Sequence, residues 1–405
     1  MINGNRLISD LKTLKTFGSF NNGVIRPAFS EADIESRKWL LNKFQSAGLD
    51  SQIDGIGNVF GRSKNQGPRL LIGSHSDTQP TGGWLDGALG VIYALEIART
   101  LNESEQYKHL AVDIVSFQDE EARFIGCLGS RSLIGDLDQS SIDSAIDKNG
   151  IKLIDTINSF EYSDNTRLVL ETSEYVGFIE AHIEQGAFLE KSNFQIGIVT
   201  NISGLRRLKI EFIGEQNHAG TTMMNSRKDA SAAFYEFAHT INTEFPKIAT
   251  DKSVWTIGKV TVIPNAPSII PGLVEIDFQF RDPDLSQLDK FQALAEKITD
   301  DIQSRGKIHI TMSPIRYIEP LIMNINLLKN LEESCEKILK GRWTAMPSAA
   351  FHDAGIMSKV MPSAMLFIPS IKGISHDFSE DSKEEDIILG CEVLLDAIVS
   401  TLKKN

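Results

Sequence analysis

Two kinds of metal-binding side chain recur along the chain, each beside an apolar run. His75 and Asp77 stand in GSHSD, Asp86 in GGWLDGALG, Glu120 and Glu121 in FQDEEARF, His182 in EAHIEQG and His376 in GISHDFSED. Imidazole mixed with carboxylate suits zinc or manganese, whereas calcium favours carboxylates and carbonyls. Singly, each piece says little. A histidine after a strand is usually a hydrogen-bonded surface or core group, and DEE is usually a solvated acidic turn. A thiol offers a different chemistry, since Cys127 stands in FIGCLGS just behind the glutamate pair. No neighbouring group serves it as a dedicated base, and a small buried cysteine is the ordinary case.

The elements that carry these residues alternate in type. RLLIGSH and AVDIVSF are short apolar strands, and GSHSD and FQDEE fall at their ends. GVIYALEIARTL between them has helical spacing, as does EADIESRKWLLNKFQSAG over residues 31–48, which Gly48 terminates. With a further strand at Asn58–Arg62, strands alternating with helices predict an α/β sheet, in which ligands gather at strand ends. Residues 205–317 follow another pattern: strand LRRLKIEFIG, helix SRKDASAAFYEFAHTINTEF, strands SVWTIGKVTVI and GLVEIDFQFRD, helix LSQLDKFQALAEKITDDIQSRG, strand KIHITMSPI. The order βαββαβ is that of a ferredoxin-like sandwich. A helix over Asn324–Lys340, the strand SAMLFIPS and the helix EEDIILGCEVLLDAIVSTLKK close the chain. The expected architecture is therefore α/β: a discontinuous domain over residues 1–204 and 318–405, with a smaller α+β domain inserted at 205–317.

Bulk properties narrow the function classes. The 405 residues exceed one ordinary core, and 41% hydrophobic with 23% charged residues is the balance of a globular protein. A formal net charge of −13 argues against nucleic-acid partners, because polyphosphate repels an acidic surface. No apolar run approaches the roughly 20 residues of a membrane span. MINGNRLISDLKTLKTF lacks the basic-then-apolar order of a secretory leader, and the three cysteines form no CxxC pair. A cytoplasmic location is expected, with no membrane partner.

Taken together and in this order, the motifs resemble the dinuclear aminoacylase and carboxypeptidase superfamily. The likeness is to its hydantoinase/carbamoylase branch: N-carbamoyl-L-amino-acid hydrolases, β-ureidopropionases and allantoate amidohydrolases. It runs from GNVFGR through GSHSDTQPTGGWLDGALGV, DEEARF, HIEQG, NHAGTT, IIPG and FQFRD to FHDAG and GISH. HIEQG with GISH is specific to the branch, since other members usually carry a carboxylate where His182 stands. The resemblance implies a zinc-peptidase-like catalytic domain holding two divalent ions, zinc or manganese. Asp86 would bridge them, with His75 and His182 on one ion and Glu121 and His376 on the other. Paired ions of this kind stand about 3.5–4 Å apart and share a water made acidic enough to give hydroxide at neutral pH. Glu120 would be the general base, and Asp77 would orient His75 through its other ring nitrogen.

The resemblance also assigns substrate contacts. His218 in GEQNHAGTTMM would stabilise the oxyanion from the lid domain of a partner subunit, assisted by Thr221. A homodimer through the inserted lid/dimerisation domain follows from that likeness, as does closure of the lid over the substrate. Arg281 would grip a substrate carboxylate with its guanidinium fork. Two positions depart from the family pattern. Ser268 in PNAPSIIPG replaces the usual asparagine clamp, and Phe351 in FHDAG replaces a small residue. Gln185 and His352 are further candidates for contact with a small carboxylate-bearing substrate. The expected reaction is hydrolysis of the carbamoyl C–N bond of N-carbamoyl-L-amino acids. The alternatives are allantoate or another ureido acid, then a peptidase or deacylase, and last a non-catalytic relative.

Overall fold

The structure is a computed structural model that describes residues 1–404. In chain order its main elements begin with helix α1 (Gly4–Thr16) and α2 (Glu31–Ser46), then strands β1 (Asp50–Ile53), β2 (Val59–Arg62) and β3 (Arg69–His75). Helix α3 (Ala88–Glu103) precedes β4 (Ala111–Phe117), β5 (Tyr175–Ile183) and β6 (Ile196–Ile202). Next come β7 (Gly204–Ile213), β8 (Asn217–His218), α4 (Ala230–Ile248), β9 (Val254–Ile263), β10 (Ile269–Ile270), β11 (Leu273–Asp282), α5 (Leu285–Gln303) and β12 (His309–Ile318). The chain ends with α6 (Ile325–Leu339), β13 (Trp343–Ser348), α7 (Asp353–Met357), β14 (Ser363–Ile368) and α8 (Glu384–Lys404). It divides into two compact units, Met1–Thr200 with Met323–Asn405 and Asn201–Ile322.

The first unit is a mixed sheet in the order β6–β14–β5–β3–β4–β2–β1, with β13 also paired to β6. β14, β5, β3 and β4 run parallel, so their carboxyl ends share one edge. β3 and β4 are buried at every position, as expected of central parallel strands whose apolar runs are continuous rather than alternating. α3 is buried on all sides from Ala88 to Leu101, and its charged Glu96 and Arg99 are paired there with Arg6 and Asp10. Its entry needs a glycine. Gly87 has φ +65°, and a Cβ there would lie 2.4 Å from the His75 ring.

The second unit is an antiparallel sheet in the order β9–β11–β7–β12 with α4 and α5 packed on it. β11, LVEIDFQFRD, alternates half-buried and buried along its whole length, the period-two pattern of a sheet with one covered face. The covered face meets an aromatic cluster in which Phe245 stacks on Phe291 at 4.5 Å and packs against Phe278 and Phe280. Truncating such a ring in a close-packed core costs about 3–5 kcal/mol. β8 and β10 continue the β7–β11 ladder beyond the Ile213↔Leu273 pair.

Candidate metal centre

The parallel strands bring the ligand candidates together because each contributes its carboxyl end. His75 is the last residue of β3, Glu120 and Glu121 follow β4, His182 is next to last in β5, and His376 follows β14. Asp86 comes from the loop before α3. Its Oδ1 lies 3.4 Å from His75 Nε2 and 3.1 Å from His182 Nε2, and its Oδ2 lies 3.2 Å from His376 Nε2. Glu121 Oε1 is 3.4 Å from the same His376 nitrogen. Two groups result, His75–Asp86–His182 and Asp86–Glu121–His376, each with ligand atoms within 4.8 Å of one another and with Asp86 common to both.

The donor set fits cations. Nδ1 of His75 faces the Asp77 carbonyl at 3.0 Å and Nδ1 of His182 faces the Ile183 carbonyl at 2.8 Å. A carbonyl only accepts, so both Nδ1 atoms carry the ring hydrogen and Nε2 is left to face a carboxylate. For His182 the Gly87 N–H also donates to Nε2 at 3.1 Å, which marks a lone pair there. A lone pair 3.1 Å from a carboxylate oxygen is repulsive unless a positive charge stands between them. Burial pushes Glu121 up to about 7, with the Asp86 charge adding to it. It also raises Glu120 strongly, opposed by His75 and reinforced by Glu121 and Asp353. The cluster thus has more buried negative charge than its histidines balance.

Around these groups lies a set of polar contacts, several invisible to sequence reading. Glu380 accepts the N–H groups of Leu85 and Asp86, both at 3.0 Å, and the Ser375 hydroxyl at 2.9 Å. Ser375 also stands 3.0 Å from Asp86 Oδ2, so one hydroxyl touches both carboxylates. Gln79 donates to the carboxylate and the carbonyl of Glu121 at 2.8 and 3.1 Å. Glu180, two residues before His182 in β5, accepts from Ser74 at 2.6 Å and from the Ala354 N–H at 2.7 Å. Only Glu180 left a local signal, a carboxylate inside the apolar run YVGFIEAHI.

Asp77 meets His75 at its other ring nitrogen through its backbone carbonyl. Its carboxylate accepts the N–H groups of Glu120 and Glu121 at 3.4 and 3.2 Å, and the hydrogen bond to His75 comes from its carbonyl. The carboxylate oxygen stands farther off, 3.7 Å from the ring. Glu120 Oε2 lies 3.7 Å from His75 Nε2, and the Cys127 thiol donates to Glu120 Oε1 at 3.7 Å. Burial pushes that thiol well above its usual range, so it is a poor nucleophile. Gln185, at φ +58°, donates to Asp86 Oδ2 at 2.8 Å, and its buried Oε1 has no partner. His352 is buried against His182, ring centres 4.6 Å apart, with Nε2 at 3.1 Å from the Ser348 hydroxyl.

The remaining candidates belong to the second unit. His218 is exposed, and its Nδ1 accepts the N–H groups of Gly220 and Thr221 at 3.0 and 3.2 Å. That leaves the hydrogen on Nε2, pointing away as a donor. Thr221 thus contributes its backbone N–H. Ser268 is exposed, and its carbonyl accepts the Ala219 N–H at 3.0 Å, tying β10 to the His218 loop. Arg281 is half-buried near the far end of β11, where burial and the charge of Arg316 lower its pKa. His218 pairs with Ile269 beyond the start of β11, and Arg281 lies eight residues down that strand from Leu273. At about 3.3 Å per residue, the two stand roughly 26 Å apart or more.

The chain is similar to known proteins. The model of peptidase family M20/M25/M40 matches residues 71–400. The chain is 32% identical over 405 residues to an N-carbamoyl-L-amino acid amidohydrolase of Geobacillus stearothermophilus, covering 97% of each chain. It is 32% identical over 390 residues to an allantoate amidohydrolase of Escherichia coli (strain K12), covering 95% of this chain and 94% of the other. In structure it is similar to an amidase of the hydantoinase/carbamoylase family from Burkholderia phymatum, with TM-score 0.93 and 41% identity over 100% of this chain and 98% of the other.

Proposed function

The chain belongs to peptidase family M20/M25/M40, and from that footing we propose a metal-dependent amidohydrolase that cleaves the carbamoyl C–N bond of N-carbamoyl-L-amino acids. Allantoate, or another ureido acid, is the alternative substrate. The observation that carries the reading is the pair of ligand groups sharing Asp86 with Glu120 beside them. His75, Asp86 and His182 would hold one divalent ion and Asp86, Glu121 and His376 the other, with zinc or manganese suited to these donors. Bound there, such ions would polarise the carbamoyl oxygen and make an attacking water more acidic.

The residues of the chain carry the rest of the reaction. Glu120 takes a proton from the water as its oxygen bonds to the carbamoyl carbon, then delivers that proton to the amino nitrogen as the C–N bond breaks. The free amino acid leaves, and the remaining carbamate decomposes to carbon dioxide and ammonia. The Cys127 thiol, and the Asp77 carboxylate that accepts the Glu120 N–H, hold Glu120 in place for both transfers. The partnerless Gln185 Oε1 suits an N–H of the carbamoyl group, a donor that buried oxygen needs. His218 Nε2–H serves the developing oxyanion, and Arg281 grips the substrate carboxylate.

We propose the second unit as the lid and dimerisation domain. A small substrate cannot touch His218 and Arg281 of one copy across the length of β11, so the two act on one substrate only if they come from different copies. Met223 and Met224, 72% and 74% exposed beside His218, are apolar surface of the kind a second copy covers.

The test is to strip the protein with a chelator, restore it with zinc or manganese, and measure ammonia release. The panel holds N-carbamoyl-L-amino acids, N-carbamoyl-β-alanine, allantoate and N-acetyl amino acids. Metal-dependent ammonia from a carbamoyl or ureido compound is the expected result. Deacylation of the N-acetyl compounds alone would replace this reading with that of a deacylase.

A further inference from the structure

We propose that Arg37, which belongs to neither ligand group, positions Glu120 and Glu121 through the Asp77 carboxylate and so sets both the base and a ligand of the second ion. The inference rests on the amidohydrolase reading above and deepens it by naming what aims those two glutamates.

Arg37 and Asp33 lie one turn apart on α2, with both side chains fully buried and paired at 2.9 Å. The guanidinium also ties in two other segments. Its Nη1 donates to the Gly57 carbonyl at 3.0 Å and the Ser116 carbonyl at 3.4 Å, and its Nη2 donates to the Phe117 carbonyl at 3.0 Å. Ser116 and Phe117 end β4, three residues before Glu120 at the nearer. Asp33 holds the next position too, since its Oδ2 accepts the Gln118 side-chain amide at 3.0 Å. The same oxygen accepts the Phe29 N–H at 2.7 Å, and Phe29 sits at φ +58°, a left-handed conformation that a bulky residue avoids. A strained residue persists only where its surroundings over-determine it.

The charges point the same way. Arg37 Nη2 stands 3.9 Å from Asp77 Oδ1, too far for a hydrogen bond but close for one charge facing another. Asp77 is fully buried, and its two oxygens accept the Glu120 and Glu121 amides. A buried anion is costly without a cation beside it. Arg26, also buried, spends its Nε on the Ser76 carbonyl at 2.7 Å, which leaves Arg37 as the guanidinium paired with Asp77. Without Arg37, Asp77 would lose its counter-charge and the end of β4 its tether, and a catalytic group displaced by about 1 Å loses about 10²-fold in rate. Lysine would keep the charge but not the fork, because one nitrogen cannot serve the Gly57, Ser116 and Phe117 carbonyls and Asp33 together.

The experiment titrates zinc into the chelator-stripped full-length protein. At saturating zinc it then measures kcat and KM for ammonia release from the panel compound that the wild type turns over fastest. The variants are Arg37→Gln, Arg37→Lys, Asp77→Asn and the double variant Arg37→Gln with Asp77→Asn. His376→Ala marks which zinc step belongs to the second ligand group. Arg37→Gln should weaken that step by about 10–100-fold, spare the other step, and lower kcat by a similar factor with KM unchanged. The double variant should match Asp77→Asn alone, because a residue that acts through Asp77 then has nothing left to act on. Arg37→Lys should recover part of the loss, and it takes over the cycle with Asp77→Asn if Arg37→Gln does not fold. Equal weakening of both zinc steps, a double variant whose losses multiply, or wild-type values in Arg37→Gln would overturn the inference while leaving the amidohydrolase reading intact. A wild type that binds two ions and releases no ammonia would remove that reading, and the zinc steps alone would then decide the inference.

Discussion

The two units handle polar side chains in opposite ways. In the first, His75, Asp86 and His182 are buried, Glu120 is partly so, and the loop that carries Asp86 is held by a residue distant in sequence, Glu380 on the Leu85 and Asp86 amides. In the second, His218 and Ser268 are exposed, His218 held by the Gly220 and Thr221 amides and Ser268 by the Ala219 N–H, while the core beneath is an aromatic cluster. Buried polar groups are costly to leave unpaired, so the first unit must be right in every contact. The second can present a donor at a loop tip because water satisfies it until a substrate arrives. Errors in the first unit should therefore destroy chemistry or metal binding, and errors in the second should weaken transition-state contacts without disturbing the metals.

The largest expected effect is in the first unit. Glu120→Gln keeps the shape and removes the base, so kcat should fall by about 10²–10⁴ with two ions still bound. Steady-state kinetics paired with metal analysis would check this, and an unchanged kcat would place the base elsewhere. In the second unit, His218→Ala should lower kcat by about 10²–10³ without changing metal content. Mixing it with Glu120→Gln after dissociation and reassembly should restore part of the activity, since some sites would then draw each group from an intact copy. No recovery on mixing would break the two-copy reading. The smallest effect concerns Glu380→Gln, which loses one of its acceptors for the Asp86 loop. Metal affinity should drop by about 10–100-fold in a competition titration. Unchanged affinity would mean that the loop is held without Glu380.

The candidate ligands at the strand ends were legible in the sequence because a central parallel strand leaves a distinct mark, an uninterrupted apolar run that stops at a polar residue. RLLIGSH and AVDIVSF coincide with β3 and β4, and EEDIILGCEVLLDAIVSTLKK coincides with α8. What stayed hidden was whatever depends on distant pairing. SEDSKEED looks like a solvated acidic stretch, yet Glu380 within it is 2% exposed because the loop after β14 packs it under Leu85. Asp77 was legible as a residue that matters but not as to which atom acts, since residue type alone does not say that its carbonyl faces the His75 ring. The left-handed Phe29 was likewise hidden, because nothing in PAFSEAD announces an unfavourable backbone angle.

The position of β14 has a consequence for how the protein is made. It lies between β5 and β6, although both are synthesised well before it. A chain emerging amino end first therefore cannot close its main sheet until one of its last strands inserts into the middle. His376 follows that strand, so the second ligand group is completed only at this late step. An ion captured early by His75, Asp86 and His182 would wait for its neighbour. Long-range pairing of this kind folds slowly, and a full complement of metal would thereby report that the chain had been read past His376.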